Sequence, residues 1–401
     1  MINNPAAFYS KAALNIKRSE IRELLKFTRQ PSIISFAGGY PDPKTFPIKD
    51  LEDISCQILR EKGATALQYG PTEGEESLRE EIAKWMYREK SSIRPDNILI
   101  TAGSQQGLDI ISKTFLDPND IVILELPSYI GGLQAFNAYR AKMVGVPHDD
   151  EGMRIDLLER ILAELEKEIQ KPKFIYVVPD FQNPSGITMS LERRQRLLEV
   201  AYRYEIPILE DSPYRDLRYA GDSVPAIYSL DTQNHVIVLG TFSKLLCPGL
   251  RIAWTMAPTE WMERLVAAKQ GMDLCSPTYT QLIVAEYLKR GLLPKQIEKI
   301  RHIYGEKLKV MLEALEKYMP QGVSWSHPKG GLFLWIELPK QVNTTNLFPK
   351  AIKNKVAYVI GSAFHCDGKG TNTMRVNFSY PSEPQIVEGI RRLAKMLKEH
   401  I

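Results

Sequence analysis

The chain has 401 residues, 44% hydrophobic and 25% charged, and its 52 basic and 48 acidic residues leave a formal charge of +4. This is globular composition with core enough for two domains, or for one large domain and a smaller companion. Acids and bases are mixed along the chain without a basic block or tail, so nothing calls for nucleic acid or an anionic membrane as partner.

The amino terminus carries no apolar h-region, and no stretch is apolar enough for a bilayer span. Cys56, Cys247, Cys275 and Cys366 form no C-x-x-C pair. Reduced thiols in a cytoplasmic protein are expected, with no disulfide framework and no metal site. Asn343-Thr-Thr fits a glycosylation sequon, which means nothing without a secretion signal.

Strand and helix patterns alternate through the middle of the chain. Apolar runs at 97–102, 121–125, 143–147, 174–178, 206–210 and 235–240 read as buried strands. Helical segments lie between several of them, one opening near Ser104 and another covering Leu191–Tyr204. Such an order predicts an α/β fold with a mostly parallel sheet covered on both faces. Ligands of these sheets sit beyond the carboxyl ends of the strands. From about residue 292 the texture changes: a long amphipathic helix over 295–318, strand-like segments at 323–326 and 331–338, a strand around Arg375, and a closing helix over 384–398. The expected division is 1–44 as an arm and part of a small domain, 45–291 as a large domain, and 292–401 as a small α+β domain.

Polar motifs follow directly on the predicted strands and would converge on one crevice. Thr241-Phe-Ser-Lys-Leu-Leu-Cys-Pro-Gly-Leu-Arg251 places Lys244 in a turn of small hydroxyl residues with an arginine seven positions on. A lysine that forms a Schiff base beside a phosphate needs such a setting, because hydroxyls and a guanidinium anchor phosphate. Its company fits pyridoxal phosphate chemistry. Asp211, at a strand end, can keep a pyridine nitrogen protonated, though it also suits a helix cap. Asn183 and Tyr214 can stabilise a ring phenolate, and Asn183 before Pro184 also suits a turn. Ser104 and Gln105 after Gly103 can offer a helix start to the phosphate, with Thr241, Ser243 and Arg251 completing the cup. Tyr129 can stack on a ring or fill core. Arg375, inside the apolar segment Met374-Arg-Val-Asn-Phe, needs an anion, either a substrate carboxylate or a structural salt bridge.

These residues in this order resemble the class I/II aminotransferases of the fold type I pyridoxal-phosphate superfamily, nearly end to end. The chain is most similar to the 2-aminoadipate/aromatic branch, which includes kynurenine/aminoadipate aminotransferase. The phrases that carry the likeness are Ser35-Phe-Ala-Gly-Gly-Tyr-Pro-Asp-Pro, Leu67-Gln-Tyr-Gly-Pro-Thr-Glu-Gly, Gly103-Ser-Gln-Gln-Gly-Leu and Phe181-Gln-Asn-Pro-Ser-Gly. The resemblance implies a seven-stranded sheet, pyridoxal 5′-phosphate as cofactor, and a homodimer with shared active sites. It makes Lys244 the Schiff-base lysine and proton shuttle, Asp211 the partner of the pyridine nitrogen, and Tyr129 the ring stack. Asn183 and Tyr214 meet the ring oxygen. Ser104, Gln105, Thr241, Ser243 and Arg251 bind the phosphate, reached by Tyr69 from the neighbouring subunit. Arg375 and Gly39 take the substrate carboxylate, and Arg22, on an amino-terminal helix, meets the substrate side chain. Two positions depart from the family pattern: Tyr40 stands where relatives carry a leucine, and Cys247 where they carry a small residue. Tyr40 either lines the substrate pocket or changes packing.

The implied reaction is ping-pong transfer of an α-amino group between a 2-aminoadipate, aromatic or branched-chain amino acid and 2-oxoglutarate. A β-lyase or decarboxylase would share the same cofactor motifs. A cofactor-sensing transcription regulator would need a helix-turn-helix module, and fewer than forty residues precede Ser35.

Overall fold

The computed structural model describes residues 4–15, 32–90 and 92–401. Among the described residues the strands are β1 Ile34–Ser35, β2 Ile98–Thr101, β3 Ile121–Leu126, β4 Lys142–Asp149, β5 Gly152–Met153, β6 Phe174–Val177, β7 Ile208–Asp211, β8 Val236–Thr241 and β9 Ala253–Met256 in the first two thirds. The last third adds β10 Ser324–Trp325, β11 Phe333–Glu337, β12 Val356–Ala357, β13 Val359–Ile360 and β14 Thr373–Asn377.

The main sheet has the order β2-β9-β8-β7-β6-β3-β4-β5. Pairing is parallel from β8 through β7, β6 and β3 to β4. The central strands β6, β7 and β8 are buried at every position, which is why each reads as an apolar run without alternation. Two strands go beyond the six runs seen in the sequence. β9 lies antiparallel between β2 and β8 and makes seven. Only eleven residues separate it from β8, and they include the 3-10 turn Pro248–Leu250 and Arg251 at φ 54°. So short a link returns the chain beside the strand it left, because a parallel crossover needs a dozen residues or more. The two-residue β5 folds back on β4 as an eighth strand.

The second sheet, β10-β11-β14-β13, is antiparallel. β1 pairs in parallel with β12, Ile34 opposite Val356, so the segment before residue 40 runs with the carboxyl-terminal layer. The long helix is Leu293–Tyr318, beginning two residues earlier than the pattern suggested, with Pro294 in its first turn where no N–H is missed. The closing helix, Glu383–Lys398, starts at a capping box of Ser382 and Gln385. Lys307, buried on the long helix, joins the Asp42 carboxylate at 2.6 Å and the Ser379 carbonyl at 2.7 Å. One buried ammonium therefore ties the long helix to the chain around Asp42 and around Ser379.

Candidate active site

The carboxyl ends of β2, β3, β6, β7 and β8 lie along one edge of the sheet, and the chain emerging from each carries polar groups. A cavity of about 410 Å³ opens there, closed from the other side by residues 37–41, Phe333 and Arg375. Ser104, Gln105, Tyr129, Asn183, Asp211, Tyr214, Thr241, Ser243, Lys244 and Arg251 line it, as do Gly39, Tyr40 and Arg375. Tyr69 does not; it is 78% exposed on the outer surface. Arg22 lies outside the described residues. Cys247 is half-buried beside the cavity, where burial pushes its thiol pKa up.

Lys244 donates through Nζ to the Gly39 carbonyl at 2.9 Å. Lost hydration, and then the cations of Arg375 and Arg251, lower its pKa to about 8. An amine so placed is half neutral near pH 8 rather than near pH 10.5, which brings the free base a nucleophile and proton carrier requires closer to physiological pH. Asp211, the last residue of β7, is 2% exposed, and burial raises its pKa to about 7 although the Tyr176 phenol donates to Oδ2 at 2.9 Å. Asn183 donates through Nδ2 to Tyr214 Oη at 3.4 Å, and its Oδ1 accepts from Arg375 Nη1 at 2.7 Å. Arg375 also donates through Nη2 to the Ala37 carbonyl at 2.9 Å. Its guanidinium lies 4.1 Å from the Phe333 ring centre and 5.1 Å from that of Phe364. Burial lowers its pKa to about 10.

At the other end, Thr241 Oγ1 and Ser243 Oγ are 3.0 Å apart, and Arg251 Nη2 is fixed by the Ala102 carbonyl at 2.8 Å. The helix Ser104–Phe115 starts at Gly103, whose φ of 110° favours glycine. A Cβ at Gly103 would also lie 2.1 Å from Arg251 Nη2. First-turn N–H groups, two hydroxyls and a guanidinium thus surround one small volume, the donor set of a phosphate.

Among the described residues, Ser104 Oγ, Asp211 Oδ1 and Arg375 Nε are buried without a hydrogen-bond partner. Unsatisfied buried polar atoms are costly, and these three belong to residues that line the cavity. The three ask for an acceptor at the phosphate end, a donor in the middle and an anion at the far end, and pyridoxal phosphate with an amino acid supplies all three. A second, larger cleft of about 720 Å³ is lined by Arg88, Arg215, Arg218 and Arg301. It differs in kind, since Glu89, Asp180 and Asp216 already engage its first three arginines and the Asp216 carbonyl engages the fourth.

Several groups of this site escaped the sequence. The carbonyls of Gly39, Ala37 and Ala102 are main-chain acceptors with no side-chain signature. Phe333 sits in an ordinary strand pattern, and Tyr176 reads as one more aromatic in a buried strand.

A lysine at the end of a doubly covered parallel sheet, flanked by a phosphate cup and a buried acid, defines a pyridoxal-phosphate enzyme of fold type I. The chain belongs to the family of class I and II aminotransferases, whose model matches residues 37–393. It is 47% identical to aromatic-amino-acid aminotransferase 1 of Thermococcus litoralis over 396 residues, which is 98% of this chain and 95% of the relative. It is 42% identical to 2-aminoadipate transaminase of Thermus thermophilus, over 97% of this chain and 96% of that one. Among solved structures, kynurenine aminotransferase of Pyrococcus horikoshii superposes with a TM-score of 0.97 at 45% identity, covering 100% of this chain and 99% of that one. The protein is therefore a pyridoxal-phosphate-dependent transaminase that works in two alternating half-reactions.

Proposed function

We propose that the chain transfers the α-amino group of aromatic amino acids and 2-aminoadipate, and also of branched-chain amino acids, to 2-oxoglutarate. It does so as a cytoplasmic homodimer in which Tyr69 of each protomer reaches the cofactor phosphate of the other. The exposure of Tyr69, an aromatic left in solvent in the single chain, supports that last point. No helix of the described residues is long and apolar enough to cross a membrane.

Each residue has a job in this reading. Ser104, Gln105, Thr241, Ser243 and Arg251 hold the phosphate, and Asp211 Oδ1 meets the ring nitrogen. Asn183 and Tyr214 meet the ring oxygen, and Tyr129 covers the ring face. When bound, the cofactor supplies an electron sink for the charge left on the substrate's Cα. Lys244 would hold the cofactor, and its Nζ would be the base for the substrate's Cα proton. Arg375 grips the α-carboxylate with the Gly39 main chain beside it, setting the Cα–H bond toward Lys244. Arg22 is the group that would pair with an acidic side chain and withdraw for an apolar one.

The observation that carries the substrate reading is the aromatic setting at the mouth. Tyr40 and Tyr380 meet edge-on at 6.1 Å, and both are about half exposed. Flat apolar substrate chains can lie against them. Steady-state rates over a panel of amino acids with 2-oxoglutarate test it. Phenylalanine, tyrosine, kynurenine and 2-aminoadipate should lead in kcat/KM, and a preference for alanine or aspartate would contradict it. Arg22→Ala should cost affinity for 2-aminoadipate and glutamate alone; an equal change for neutral substrates would remove Arg22 from the scheme.

A further inference from the structure

We propose that Tyr176 is the positioning residue of Asp211: its phenol holds one carboxylate oxygen, favours the ionised form of the acid, and leaves the other oxygen for the ring nitrogen of the cofactor. This rests on the reading that Asp211 is the partner of that nitrogen.

The placement follows from the sheet. Tyr176 on β6 is in register with Leu209 on β7, so Asp211, two residues further, projects from the same face within a diagonal's reach. The phenol spans that diagonal and donates to Asp211 Oδ2 at 2.9 Å, while Oδ1 stays buried without a partner among the described residues. Two neighbours fix the ring. Phe136 meets it edge-on at 5.3 Å. Gly132 lies over it, where an added Cβ would come within 3.0 Å of a ring carbon and 3.3 Å of the phenol oxygen. β6 itself is buried at all four positions. Tyr176 is 0% exposed and does not line the cavity, so it touches neither cofactor nor substrate space.

A phenol suits this post for an electrostatic reason. A buried carboxylate needs help to stay charged. A cation would give that help but would compete with the protonated ring nitrogen for the acid. A neutral donor stabilises the anion and leaves its charge available. The groups that face Asp211 match this logic: Tyr176 from β6, Tyr129 before the helix Ile130–Ala138, and Tyr214 after β7, all phenols. Lys244, Arg251 and Arg375 line the same cavity, yet burial and the Tyr176 phenol, not a cation, set the charge state of Asp211. Glu125 stands behind Tyr176 and adds no positive charge.

The test compares pyridoxal phosphate with its 1-deaza analogue, in which carbon replaces the ring nitrogen. Both are titrated into cofactor-free wild type, Tyr176→Phe and Asp211→Asn, with binding read by fluorescence. Tyr176→Phe should lose about tenfold in affinity for pyridoxal phosphate, the worth of one charge-assisted hydrogen bond, and less than about twofold for the deaza analogue. Gly132→Ala, which displaces the ring without removing it, should show the same selectivity and serves if the phenylalanine variant fails to fold. Equal losses for both ligands, or none for either, would reduce Tyr176 to packing and overturn the proposal. If Asp211→Asn keeps the wild-type ratio between the two ligands, the fault lies instead in the pairing of Asp211 with the nitrogen, and the proposal falls with it.

Discussion

Arg375 Nη1 and Asn183 Oδ1 are 2.7 Å apart, so the amide assigned to the cofactor ring also braces the guanidinium assigned to the substrate. One side chain thereby couples the two binding events: Asn183 Nδ2 faces Tyr214 while Oδ1 fixes Arg375. The Ala37 carbonyl takes a second Arg375 proton, and the Phe333 and Phe364 ring centres lie 4.1 and 5.1 Å from the guanidinium carbon. Only Nε and the remaining N–H positions are left for a ligand.

Arg375→Lys should therefore raise KM for the amino acid and the oxo acid by about tenfold or more, because an ammonium cannot reproduce the fork. Cofactor content, read from the visible absorption of the purified protein, should stay at the wild-type level. An unchanged KM would place the carboxylate elsewhere.

Asp211 gives a pH signature in the cofactor-free protein. Its folded pKa, near 7, lies above the ordinary carboxyl value of 3.8, so the folded state binds the extra proton between those limits. Stability from this group is complete below about pH 4 and is lost as pH rises to about 7, by an amount of order a few kcal/mol. Glu125 and Glu210, also raised to about 7 by burial, act in the same direction. Asp211→Asn carries no such charge. The melting temperature of cofactor-free Asp211→Asn, relative to wild type, should thus rise between pH 4.5 and 7.5. A difference that stays flat over that window would mean Asp211 is not buried as described.

Arg194 tests the scaffold beneath the site. It is 0% exposed and holds Asp180 at 2.8 Å together with the carbonyls of Pro179, Met189 and Pro225. That clamp fixes the turn leading to Asn183. Arg194→Met would take from Asp180 its fully buried partner and from three carbonyls their donor, leaving Asp180 with Arg215 at 3.0 Å and Arg218 at 4.0 Å. A loss of roughly 3–5 kcal/mol in urea unfolding is expected, as for other buried pairs cut on one side. A shift below about 1 kcal/mol, the size of an exposed pair, would contradict it.

Much of this was legible in the chain because parallel strands buried on both faces leave unbroken apolar runs, and in such sheets chemistry gathers where those runs end. Asp211 and Thr241 close β7 and β8, and Ser104 opens the helix after β2. What stayed hidden has equally physical causes. Ala253–Met256 is short and follows the lysine loop at once, with neither helix nor length to announce a strand. Tyr176 owes its place to register with a neighbouring strand, which no single segment encodes. Tyr69 faces solvent in one chain, because the group proposed for it lies in a second protomer.

The account turns on Lys244. Protein loaded with pyridoxal phosphate, reduced with borohydride, digested and mapped by mass spectrometry should carry the phosphopyridoxyl group on the peptide containing Lys244. Lys244→Ala should bind cofactor without fixing it and should show no measurable turnover. Label on any other lysine, or transamination by the alanine variant at the wild-type rate, would contradict the account at its centre.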